Sequence, residues 1–144
     1  NQYSLLDREI ERELFPFARA TGVGIMAYGP LAIGLLSGKH RPGATPASGT
    51  LLDRNGADRV AAALNGQAGQ VILKAFEVAE RTGATVAQVA QQWVMTHPEI
   101  SVVIAGANNA EQLDESLASV NLKLSDEDVA ELARVSEGMN ITPW

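Results

Sequence analysis

Two short stretches hold residue types that could act together on a ligand. In residues 27–39 (AYGPLAIGLLSGK) an aromatic residue stands where an apolar run ends, followed by Gly29-Pro30, two further glycines and a lysine. A tyrosine so placed can lay its ring on a flat ligand. Glycine-rich backbone can approach phosphate oxygens closely, and Lys39 offers a positive charge. In residues 104–116 (IAGANNAEQLDES) a second apolar run leaves through Gly-Ala-Asn-Asn into a helix start. The free N–H groups and dipole of such a start suit an anion. Each stretch alone is also ordinary turn composition. Two of them on adjacent strand ends weigh more than one, and phosphate sites in (β/α)₈ barrels recur in the loops after the last two strands.

The remaining reactive residue types offer less. His97 precedes a proline at a helix end, which suits a capping or solvated role, and His40 sits in a glycine-rich loop that reads as surface. Neither has a second histidine or a carboxylate pair at ligand spacing, so no metal site is expected. No G-x-S-x-G elbow occurs. Cysteine is absent, which excludes disulfides, thiolate zinc sites and cysteine nucleophiles. The carboxylate-rich stretches DREIERE (7–13) and SDEDVAE (125–131) read as solvated helix starts favoured by the helix dipole.

The elements that must position these residues follow from periodicity. Ile10, Leu14, Phe17 and Ala18 recur at helical spacing up to Thr21-Gly22, with Pro16 in a first turn beginning near Glu13 or Leu14. Residues 23–28 form a continuous apolar run, as in a parallel strand buried on both faces. Residues 40–66 mix Pro, Gly, Ser and Asp with one short apolar helical turn and read as a long, mobile loop. Val71, Ile72, Ala75, Phe76 and Ala79 mark a helix ending at Thr82-Gly83. Thr85 and Gln88 then have capping-box spacing for a helix that His97-Pro98 ends. Residues 101–105 read as a strand. Asn109 with Gln112, and Ser125 with Asp128, repeat the capping-box spacing for two last helices, through about residues 120 and 136. Residues 1–3 resemble the end of an extended segment, so three sequential parallel strands are expected near 1–3, 23–28 and 101–105. Such a sheet has two open edges and an uncovered apolar face, so the chain reads as a slice of a larger α/β protein.

A length of 144 residues fits one domain, and 46% hydrophobic with 19% charged residues fits a soluble globular chain. A net charge of −6 argues against nucleic acid as the main partner. No apolar run approaches the roughly 18 residues that span a bilayer, and no signal peptide is evident, so no membrane partner and a cytoplasmic setting are expected.

Four blocks, NQYSLL, AYGPLAIGLLSGK, GATVAQVAQQWVMTHP and VVIAGANNAEQLDESLASV, resemble successive blocks of the aldo-keto reductases, in the right order and over nearly the whole chain. The resemblance implies the C-terminal portion of a (β/α)₈ TIM barrel, strands six to eight with their helices, with strands one to five preceding residue 1. It implies reduction of aldehydes and ketones with NADPH, a small-molecule carbonyl substrate, and residues 40–66 as a cofactor-covering loop. It places Gln2 on the nicotinamide carboxamide and Tyr28 against the nicotinamide ring. Gly29, Pro30, Leu31, Ala32 and Ile33 match the segment that wraps the pyrophosphate, and Lys39 the lysine of its S-G-K ending. Gly106, Asn108, Gln112, Glu115 and Ser116 match the adenosine-end contacts.

Three departures bear on this assignment. Ala105 replaces a usual proline, Asn108 stands where many members have arginine, and Ser116 where most have asparagine. Losing a cation near the 2′-phosphate weakens the preference for NADPH, so NADH enters as an alternative. The family's catalytic Asp, Tyr, Lys and His belong to strands two to four, so no catalytic residue is expected within this chain. Two other readings stand beside this one: a non-catalytic cofactor-binding regulator on the same fold, like the channel-associated β subunits, and a partial barrel completed by self-association or a partner chain.

Overall fold

The computed structural model describes residues 1–44 and 57–141, residues 57–59 by their backbone alone. Its frame is a parallel pair of strands, β1 (Ile25–Tyr28) and β2 (Ile100–Ile104). The register pairs Ile25 with Ile100, Met26 with Val102, Ala27 with Val103 and Tyr28 with Ile104, shifting once between Ile25 and Met26. Residues 1–3 lie along the other edge of β1, so the expected sequential order holds. They contribute only one parallel bridge, Gln2 to Tyr28. The Tyr3 amide donates to the Tyr28 carbonyl at 3.1 Å and the Tyr28 amide to the Asn1 carbonyl at 2.9 Å. The chain then curls away, because Ser4 and Asp7 exchange backbone hydrogen bonds of 3.0 and 3.2 Å, and pairing stops.

β1 is not buried on both faces as its apolar run suggests. Ile25 and Ala27 are buried, whereas Met26 and Tyr28 are 56% and 50% exposed. Val102 and Ile104 share their exposure on β2. The sheet therefore packs one face on helices and leaves the other open among the described residues.

Six α-helices are described, α1 (Leu14–Thr21), α2 (Ala57–Asn65), α3 (Gln67–Thr82), α4 (Val86–Met95), α5 (Ala110–Ala118) and α6 (Asp126–Val135); α4 packs on β2, and α3 joins α2, α4 and α6. α1 has Pro16 in its first turn and ends at Gly22, whose φ of +73° lets its amide close on the Ala18 carbonyl at 2.8 Å. Thr85 and Gln88 form the expected capping box of α4, as Ser125 and Asp128 do for α6. Trp93, on α4, is fully buried, and its indole N–H donates to the Val129 carbonyl of α6 at 3.4 Å. It joins Tyr3, Leu5, Leu6, Val71, Ile72, Val78 and Leu132 in one apolar core. Three ion pairs brace this core: Arg81 of α3 engages both Asp128 and Glu131 of α6, and Arg19 of α1 engages the buried Glu99 just before β2.

Several expectations change. The expected mobile loop 40–66 contains α2 over residues 57–65, because Val60 and Leu64, one turn apart, are buried in the core. Residues 45–56 of that expected loop lie outside the described residues. His40 is buried, 1% exposed, instead of lying on the surface. The stretch DREIERE leads into α1, whose N-cap residue is Glu13, but it is not simply solvated: it makes a 3-10 turn at Glu9–Glu11, and the largely buried Arg8 binds the Glu11 carboxylate. In SDEDVAE, Asp128 is buried, its carboxylate accepting from Ser125 and Arg81, so it is not solvated.

Gly69, in the first turn of α3, explains how α2 and α3 meet. A Cβ built there would fall 1.9 Å from the Leu64 carbonyl oxygen, inside contact distance with backbone that cannot swing away. In an ordinary helix Gly→Ala stabilises by about 1 kcal/mol. Here Gly69→Ala is expected to destabilise instead, by about 1–3 kcal/mol, as overpacking does. Urea unfolding of the variant beside wild type measures the sign.

Candidate functional site

The expected site residues lie at the ends of β1 and β2 and in the segments that follow them. Period-two alternation puts Tyr28 on the open sheet face with Met26, Val102 and Ile104. Gln2 lies across the bridge from Tyr28, half-buried. Gly29 follows with φ +68°, a conformation that favours glycine, and its missing Cβ would meet the Gln2 side chain at an ordinary 3.7 Å. Backbone conformation, not space, accounts for glycine here.

Beyond the buried Pro30, the chain tightens into a 3-10 turn at Ala32–Gly34. Ala32 and Ile33 both have positive φ, +46° and +56°. For residues with a Cβ each such conformation costs of order 1–3 kcal/mol, and such strain concentrates at ligand clamps. The turn is held by Ala32 N–H to the Gly29 carbonyl and Gly34 N–H to the Leu31 carbonyl, both 2.9 Å. Leu35 and Leu36, both buried, anchor its far side. Leu31 and Ile33 are half-buried against the core. Lys39 is exposed, and its amide donates to Ser37 Oγ at 3.4 Å.

At the end of β2, Gly106 and Asn108 are exposed. Asn109 caps α5, its Oδ1 accepting from the Gln112 amide at 2.9 Å. The Gln112 side chain accepts from the Asn108 amide, also at 2.9 Å, rather than from Asn109, so the expected capping box is displaced by one residue. This fixes the loop ahead of the helix. Glu115 and Ser116 lie in the following turn and face α4: Gln88 Nε2 donates to the Glu115 carbonyl at 3.3 Å and Gln91 Nε2 to Ser116 Oγ at 3.0 Å. Ser119 Oγ donates to Gln91 Oε1 at 3.1 Å, so the buried Gln91 is bonded at both ends of its amide. Sequence reasoning missed Gln91, a polar residue within an apolar helix face. It missed the strain at Ala32 and Ile33 too, which leaves no trace in residue type.

Electrostatics at this loop are one-sided. Residues 106–120 contain no lysine or arginine but include Glu111, Asp114 and Glu115. Two concavities on the described surface lie elsewhere. One, of about 340 Å³, is lined by residues of α2, α3 and the segment 138–141. The other, of about 570 Å³, lies between Asn1 and the start of α1.

Comparison with known proteins defines the class. The model of the aldo/keto reductase family matches residues 1–137, and the chain belongs to that family. It is 32% identical over 130 residues to versiconal hemiacetal acetate reductase of Aspergillus parasiticus, covering 90% of this chain and 37% of the relative. It is 28% identical over 149 residues to the NADH-specific methylglyoxal reductase of Escherichia coli, covering 96% and 41%. A protein of Arabidopsis thaliana described as a probable voltage-gated potassium channel subunit beta is 29% identical over 122 residues, covering 84% and 37%. The crystal structure of a thermostable aldo-keto reductase with the inhibitor epalrestat superposes with a TM-score of 0.65 at 26% identity, covering 93% of this chain and 38% of that one. The chain thus spans about two fifths of the length of these relatives, and its fold is part of an aldo-keto reductase barrel. The family's enzymes are oxidoreductases that use nicotinamide cofactors. No described helix is long and apolar enough to cross a membrane.

The Asn109 cap sets the direction of α5. Asn109→Ala is expected to cost about 1 kcal/mol, the usual worth of an N-cap. Amide exchange of residues 110–113 should quicken while that of α3 stays unchanged.

Proposed function

We propose that this chain carries the nicotinamide-cofactor side of a reductase that converts aldehydes or ketones to alcohols. The observation that supports it most is the placement of Tyr28: half-exposed on the open sheet face, beside Gln2, and followed at once by the strained turn at residues 29–33. A flat ring fits over the tyrosine and an amide fits the reach of Gln2. Backbone close to a ligand fits the glycine and left-handed residues of the turn. The bound cofactor supplies hydride to the carbonyl carbon. In this reading Tyr28 and Gln2 orient the nicotinamide, and residues 29–33 with Lys39 hold the pyrophosphate. Gly106, Asn108 and Gln112 bound the adenosine end, with Glu115 and Ser116 beneath them. No catalytic acid is assigned to this chain.

Cofactor choice turns on charge. An adenosine 2′-phosphate beside residues 106–120 would meet Glu111, Asp114 and Glu115 and no cation of that segment. NADPH therefore loses the ion pair that distinguishes it from NADH, and both serve. The likeness to an NADH-specific relative favours this reading. The likeness to the channel-subunit relative favours, as a second reading, cofactor binding without turnover.

The open face (Met26, Tyr28, Val102, Ile104), with exposed Phe17, Leu113, Leu117 and Val120, is more apolar surface than an isolated domain tolerates well. We take its cover to be the rest of a barrel, with a second copy of the chain as the alternative.

In the complete barrel, Tyr28→Ala is expected to weaken cofactor binding by about 1–3 kcal/mol, the usual worth of a base–aromatic stack. Fluorescence titration measures it, and an unchanged dissociation constant would remove Tyr28 from the site. Asn108→Arg should shift preference towards NADPH by about tenfold, the scale of one charge-assisted contact. An unaltered NADPH-to-NADH ratio would take the adenosine end away from this loop.

A further inference from the structure

Behind the strand end that carries Gln2, three ionisable or hydrogen-bonding side chains stand in line. Tyr3 Oη lies 2.6 Å from Glu11 Oε1 and 3.0 Å from His97 Nε2. The other imidazole nitrogen, Nδ1, lies 3.0 Å from the Trp93 carbonyl oxygen. A carbonyl can only accept, so Nδ1 carries a proton, and in a neutral imidazole Nε2 is then a bare acceptor. Tyr3 has one proton and two contacts to satisfy. Burial and the adjacent Glu11 push its phenol well above the ordinary range, so it keeps that proton. Burial works against the Glu11 carboxylate, yet bonds from Arg8 and Tyr3 hold it below its usual range and ionised. The shorter contact, to a charged acceptor, takes the tyrosine proton. With His97 neutral, two lone pairs therefore face each other across 3.0 Å.

One added proton satisfies every atom in the line. Nε2–H then donates to Tyr3 Oη, Tyr3 O–H donates to Glu11, and Nδ1–H donates to Trp93. No covalent bond other than the new N–H forms, and none breaks. We propose that Glu11, Tyr3 and His97 form a relay that takes up one proton as a unit and clasps the strand end to the C-terminus of α4. The surroundings hold the balance. Glu11 attracts an imidazolium, Arg8 repels it, and burial opposes it, so His97 titrates below its ordinary value. Arg8 is itself tied down, bidentate on Glu11 at 2.7 and 2.8 Å and donating to the Ala133 carbonyl and Ser136 Oγ of the α6 end, with Glu137 nearby. Phe15 from α1 and Trp93 from α4 present neutral rings, with centroids 5.7 and 4.5 Å from the imidazole. Glu99, ahead of β2, acts on Tyr3 from a distance and is paired with Arg19.

The sign of the pH dependence follows. A folded-state value below the ordinary histidine value of about 6.5 means that stability falls as pH drops through that value. The relay limits the fall, so removing the bridging oxygen should deepen it. Since Tyr3 follows Gln2, the same proton bears on how firmly the cofactor-side strand end is held. That consequence rests on the cofactor reading, whereas the titration that tests the relay does not.

The test is an NMR titration of the His97 ring, assigned with a His97→Gln variant, in wild type and Tyr3→Phe. Tyr3→Phe keeps Glu11 and Arg8, so a purely Coulombic effect of either would survive it. The expected result is an Nδ1–H tautomer at high pH and a His97 midpoint about one unit lower in Tyr3→Phe, the worth of one hydrogen bond. Equal midpoints, or an Nε2–H tautomer in wild type, would overturn the relay. Should Tyr3→Phe fail to fold, 3-fluorotyrosine incorporation makes Oη a poorer acceptor without altering its shape. It should lower the His97 midpoint, and no change would again overturn the relay.

Discussion

The alternation of the parallel pair β1–β2 is the constraint from which the rest follows. Ile25 and Ala27 point into the helix layer, and Met26 and Tyr28 point the other way, level with Val102 and Ile104. A one-residue slip of either strand would reverse every one of these assignments. Tyr28 stands on the open face because the helix layer claims its neighbours. Gln2 reaches it through a single parallel bridge, and Tyr3, one residue on, is driven into the core against Phe15 and Trp93. Candidate site and core thus occupy opposite faces of the same few residues.

Position on this frame also accounts for the chemistry of the two loops. The turn after β1 is strained at Ala32 and Ile33, and Leu35 and Leu36, fully seated in the core, hold it in place. The loop after β2 is fixed by side-chain amides: Asn109 and Gln112 bind it locally, and Gln88 and Gln91 tie the body of α5 to α4. One loop is held by apolar burial and the other by polar bonds. The first suits close backbone approach to a ligand, and the second suits a solvent-facing rim.

Much of this was legible in the residues. Capping pairs announced α4 and α6 because a hydroxyl or carboxamide three residues from its partner has one local use. The turn glycines Gly22 and Gly83 marked where α1 and α3 end, as left-handed C-caps. What was not legible depended on tertiary context. The α2 segment has helical residues but a surrounding composition of Pro, Gly and Ser, and only burial of Val60 and Leu64 against neighbours decides it. His97 showed its capping bond to Trp93 in its position before Pro98. Its second contact, to a tyrosine 94 residues earlier in sequence, has no local signature. The same holds for His40, buried from within a loop-like stretch. The candidate site residues were named through family blocks rather than through spacing, since Gly, Pro and Tyr at a strand end are common in turns that bind nothing.

Hydrogen–deuterium exchange with and without NADPH bears most directly on the claim that these strand ends form the cofactor side of an aldo-keto reductase. The account predicts slowed exchange on cofactor addition at residues 28–36 and 106–113, with α3 and α6 unaffected. Protection confined to the cavity lined by residues 62–68 and 138–141, or no protection at either strand end at saturating cofactor, would contradict it.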